Sequence, residues 1–64
     1  MNGAIIIYSS LNPMTGKEEI IAVCDTAAIA AALPTTYSPG SFAIVPDGGV
    51  VYMLDSTGWK VAKA

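Results

Sequence analysis

The chain of 64 residues has no histidine, no arginine, one cysteine and three lysines. Each shortage closes off a class of chemistry. Ser9, Ser10, Ser38, Ser41 and Ser56 have no imidazole to activate them as nucleophiles. The other available base, lysine, stands at Lys17, Lys60 and Lys63, in turns or near the terminus, where it is solvated. No catalytic residue is expected. Cys24 alone makes no internal disulfide, and without histidine it makes no structural zinc site, so no metal and no cofactor are expected. Three scattered lysines are not the basic patch that tracks a phosphate backbone, which sets nucleic acid aside as a partner.

Long apolar runs are missing as well. The longest weakly polar stretch, Ile20 to Leu33, carries Asp25 and falls short of the roughly 20 residues that span a bilayer. The opening MNGAIIIYSS has no positively charged segment before its short apolar run and does not read as a signal peptide. A free cysteine fits a reducing compartment. The expectation is a soluble product made in the cytoplasm, with no membrane partner.

Charge is scarce, at 12 % of residues against 53 % hydrophobic, with a net charge of -2. That excludes disorder, which needs the opposite balance. It also leaves too few charges for an ordinary solvated surface. A domain this small buries only about 60 % of its unfolded surface and usually needs a disulfide, a metal or oligomerisation. With the first two unavailable, self-association remains.

The pattern of residues predicts a single α+β domain over 1–64, mainly β. Ala4 to Ser9 is rich in β-branched and aromatic residues, as is Glu18 to Cys24. Between them Asn-Pro starts a turn and Gly16 supplies positive φ at its end, so an N-terminal β-hairpin with a six-residue loop, Asn12 to Lys17, is expected. A rival is one long helix from Gly16 to Leu33, since Thr15 and Glu18 match a capping box and five alanines favour helix. The β-branched Ile20, Ile21 and Val23 favour a split: strand first, then a short Ala-rich helix over about 26–33. Asp25 or Thr26 would cap it and Pro34 would end it. Residues 34–40, PTTYSPG, form an internal loop.

From about 41 to 62 a small antiparallel β-meander is predicted. Asp47-Gly48-Gly49 marks one tight turn, and Ser56-Thr57-Gly58 reads as a three-residue loop with Gly58 in the left-handed position. On that register Phe42, Ile44, Val51, Met53, Trp59 and Val61 share one face, the expected core. The opposite face carries Ala43, Val45, Val50, Tyr52, Leu54 and Ala62, with Lys60 its one charge. A sheet solvated on one side alternates apolar and polar, and this one does not. Either the N-terminal hairpin and helix cover the second face, or another subunit does. Val45, Val50, Tyr52 and Leu54, with Tyr37 from the loop, are therefore the interface candidates, tyrosine being enriched at interfaces.

The acids have local uses: Asp47 and Asp55 fall in turns, where aspartate bonds its own backbone. No pair is spaced as a calcium loop. Cys24, with nothing basic beside it, reads as buried and inert. Pro46-Asp47-Gly48-Gly49 lacks the Lys-Ser/Thr of a phosphate loop.

Residues 31–61, AALPTTYSPGSFAIVPDGGVVYMLDSTGWKV, resemble a module found in small bacteriophage structural proteins. The shared features are Leu33-Pro34-Thr35, Pro39-Gly40-Ser41, the Asp47-Gly48-Gly49 turn, Val51-Tyr52-Met53-Leu54 and Gly58-Trp59. The resemblance implies a non-enzymatic virion component, such as a head fibre, a capsid-decorating protein or a head–tail or tail accessory. It also implies a homo-oligomer, a trimer foremost, docked on a larger virion protein. The alternative is a small adaptor or inhibitor module that binds a host protein.

Overall fold

The computed structural model describes residues 3–63, so Met1, Asn2 and Ala64 of the expected 1–64 domain lie outside it. In chain order the elements are β1 (Ala4–Asn12), β2 (Lys17–Cys24), α1 (Ala27–Ala31), β3 (Phe42–Val45), β4 (Val50–Asp55) and β5 (Gly58–Lys63). All five strands form one sheet in the order β1-β2-β3-β4-β5. The fold is α+β and mainly β.

The N-terminal hairpin forms with a tighter turn than expected. Asn12 pairs with Lys17, and the Gly16 N–H donates to the Asn12 carbonyl at 2.8 Å. The Asn12 side chain accepts from the Met14 N–H at 2.9 Å, the local bond that makes Asn a turn former. Gly16 takes a φ of 70°, which a side chain would resist.

The split of residues 16–33 into strand and helix is what forms. Thr26, in extended backbone, accepts from the Ile29 N–H through Oγ1 at 3.2 Å and caps α1. The helix is shorter than expected, ending at Ala31. Pro34 then denies it a further turn.

The relation of the two halves differs from a simple meander. β2 and β3 pair in parallel, with Ile21 opposite Phe42, Ala22 opposite Ala43 and Val23 opposite Ile44. The chain must therefore cross over the sheet between them, and α1 is the crossover. So the N-terminal hairpin does not lie on the meander as a cover. It joins edge to edge and widens the sheet.

The buried serines Ser38 and Ser41 make this join. The Ser38 N–H donates to the Glu18 carbonyl at 2.6 Å. Ser41 Oγ accepts from the Ile20 N–H at 3.0 Å and donates to the Ser38 carbonyl at 2.7 Å. On the other side the Leu54 N–H donates to the Ser41 carbonyl at 2.9 Å. One short loop thus ties the start of β2 to the end of β4.

The meander has the expected first turn. Val45 pairs with Val50, and the Gly49 N–H donates to the Pro46 carbonyl at 3.2 Å. The second turn corrects the expectation. Asp55 pairs with Gly58 and Leu54 with Trp59, so the connection is two residues long, not three. A one-residue slip moves every following side chain to the other face. Trp59 and Val61 therefore stand opposite Leu54 and Tyr52, away from Phe42 and Met53.

Ser41→Ala should cost roughly 1–3 kcal/mol in a urea titration, because it strands the buried Ile20 N–H. Thr26→Ala, which removes one exposed cap, should cost about 1 kcal/mol.

Candidate interaction surface

Helix α1 covers the centre of one face of the sheet, while Ile6 and Val61 at its margins on that side are 39 and 55 % exposed. Beneath the helix lie Ile20, Ala22, Cys24, Ala43 and Val45, in one cluster with Ala30 and Leu33. Ala22, Ala30 and Ala43 are wholly buried. Small side chains at these positions let the helix backbone approach the strands. Tyr37, Val50, Tyr52 and Trp59 pack around the cluster. The Trp59 indole N–H is shared between the carbonyls of Leu33 and Pro34, at 3.1 and 3.2 Å, which satisfies its one donor.

The expected core and interface are therefore exchanged. Val45 and Leu54, taken as interface candidates, are each only 2 % exposed and belong to the core. Val50, Tyr52 and Tyr37 are half-buried against the same core. Of the expected core, Phe42 and Met53 are each 38 % exposed, and Val61 is 55 % exposed. Ile44 and Val51 are half-buried on the uncovered face. Trp59 alone of the six packs on the core cluster. The reason is physical: Ala43 and Ala22 leave room for a helix where Phe42 and Ile21 do not.

The uncovered face is a regular apolar grid. The strand registers line up one row across the sheet as Tyr8, Ile21, Phe42, Met53 and Lys60. The neighbouring row is Ile5, Val23, Ile44, Val51 and Lys63. Each row is apolar over four strands and ends in lysine on the fifth. Two bulges make the alignment. One, at Ile7, brings Tyr8 to the face of Ile5. The other, between Val51 and Tyr52, brings Lys63 to the face of Lys60. A bulge adds one residue to one strand and so restores or reverses facing. Ile5 and Tyr8 are 64 and 51 % exposed.

Asp55 sets where these rows end. Its Oδ1 accepts from the Thr57 N–H and hydroxyl, both at 2.7 Å, and from the Gly58 N–H at 3.0 Å. The Thr57 hydroxyl, then the backbone N–H groups, favour the charged carboxylate and hold its pKa below the usual range, with Lys60 adding to this. This clamp fixes the two-residue turn and hence the facing of Trp59 and Lys60.

The remaining reactive groups offer little chemistry. Cys24 is buried, and burial, then the neighbouring Asp25, push its thiol pKa up, which disfavours the thiolate. Among the described residues there is no pocket. Nor do three or more acidic, cysteine or histidine side chains cluster there as a metal site. Among them, too, no helix is long and apolar enough to cross a membrane. No family model, curated protein or solved structure matches this chain.

The exchange of faces has a direct test in urea. Leu54→Ala should cost about 2–5 kcal/mol through lost burial and a cavity. Met53→Ala, one residue earlier on the open face, should cost much less. The Asp55 clamp gives a pH effect. Its pKa is lowered on folding, so its contribution is present above the unfolded carboxylate pKa and fades as pH falls through the folded one. Asp55→Ala should therefore lower the urea midpoint at neutral pH, and the difference from the parent should shrink once the carboxylate is protonated.

Proposed function

We propose that this chain is a non-enzymatic structural protein that works as a homo-oligomer docked on a larger protein, as a component of a phage virion. The observation that carries the reading is the open apolar grid on β1 to β4. A contiguous apolar patch of this kind marks an interaction site, and the chain has already used its one helix on the other face.

Side-chain inventory supports a structural rather than a catalytic role, since the sequence offers neither histidine nor arginine. The virion assignment rests on the resemblance over residues 31–61. In its favour, the two ends of that segment meet, Trp59 bonding to the carbonyls of Leu33 and Pro34. The Leu-Pro-Thr and Gly-Trp features thus belong to one structural unit. Its place in a head fibre, a decoration layer or a tail accessory depends on the larger partner. The resemblance carries a trimer, whereas one open face favours pairwise contact.

Light scattering behind a sizing column should give two or more times the 6.6 kDa chain mass. A particle of chain mass alone would overturn the homo-oligomer and favour a module that binds a different protein. Mass spectrometry of purified phage particles should recover the chain in fixed proportion to the major shell or tail protein. Its absence from the particles would overturn the virion assignment.

A further inference from the structure

We infer that the open face is occupied by the same face of a second copy, the two sheets stacking about a two-fold axis that runs along the strands between β2 and β3. The inference rests on the homo-oligomer reading above and adds its surface and its geometry.

Area is the first argument. Ile5, Tyr8, Phe42 and Met53, at 64, 51, 38 and 38 % exposed, leave on the order of 400 Å² of apolar side chain in water. Their half-buried neighbours in the two rows add to this. The total exceeds the roughly 500 Å² per partner that a specific interface needs. A face of registered apolar rows can stack on its own copy, as the inner faces of a β-sandwich do, about 10 Å apart.

Charge chooses the axis. The two lysines that end the rows, Lys60 and Lys63, stand in one column on β5, and Lys17 lies at the start of β2 outside the rows. A two-fold running across the strands would lay β5 on its own copy and set lysine on lysine in a desolvated contact. A two-fold running along the strands between β2 and β3 lays β1 over the partner's β4 and β2 over the partner's β3. Phe42 then meets the second copy's Ile21, Ile44 meets its Val23, and Met53 meets its Tyr8, a favourable sulfur–aromatic contact. Every apolar position of the grid finds an apolar one, and β5 overhangs the edge. Lys60 and Lys63 become the polar rim that interfaces ordinarily carry.

Strand spacing makes this testable. Across the inferred axis the two copies of residue 44 are about 11 Å apart, whereas the two copies of residue 60 are more than about 20 Å apart. In a Cys24→Ala background, Ile44→Cys should be joined into a covalent dimer by a short bis-maleimide, and Lys60→Cys should not. Ile44→Glu should be folded by circular dichroism and should lose the dimeric mass, with association weakened at least tenfold relative to the parent. A parent of chain mass alone would overturn both this inference and the homo-oligomer. A parent oligomer that Ile44→Glu leaves intact would overturn the face and leave self-association standing. Cross-linking through Lys60→Cys as efficient as through Ile44→Cys would overturn the axis.

Discussion

The packing of Ala30 and Leu33 onto the strip of small side chains at Ala22, Cys24 and Ala43 holds the rest of the molecule in place. A helix can approach a sheet closely only where the side chains beneath it are short. That strip crosses β2 and β3, the two strands that pair in parallel. The same contact therefore sets the side on which the crossover lies and fixes the join between the two halves. Close packing over such a strip is felt at the level of single methyl groups.

With the helix spent on the centre of one face, the other is left open by default. The connection between β2 and β3 is the only long one, and its helix is five residues. The N-terminal hairpin is spent on widening the sheet rather than on covering it. Molecular extents of 33 × 21 × 15 Å describe such a thin slab. Few charges were available to wet the open face: within the two apolar rows the charges are the β5 lysines, and Glu19 and Asp55 flank the rows.

The registers on either side of the slab come from small local devices. Asp55 clamps its turn with three hydrogen bonds to a single oxygen, and Ser41 substitutes a hydroxyl for a ladder bond to Ile20. Bulges in β1 and beside Tyr52 re-aim Tyr8 and Lys63. None of these devices is large in energy. Each acts by choosing a facing, and in a sheet with period two a facing is an all-or-none choice.

Much of the architecture was legible in the residues. Val and Ile content marked the strands, Thr26 and Pro34 bounded the helix, and Asp47-Gly48-Gly49 marked the first turn of the meander. The grouping of Phe42, Ile44, Val51 and Met53 on one face followed from that turn. The length of the second turn did not follow, because Ser56-Thr57-Gly58 suits loops of two or three residues equally in composition. The missed residue moved Trp59 and Val61 to the wrong face. The elements, their alternation and the excess of apolar surface over what one short helix can cover were readable from the residues, since propensity, turn chemistry and composition act locally. Which face the helix covers and which stays open emerges in the folded chain alone. Both faces are apolar, and the choice rests on whether a helix fits over Ala22 and Ala43 or over Ile21 and Phe42, a matter of volume between residues distant in the chain.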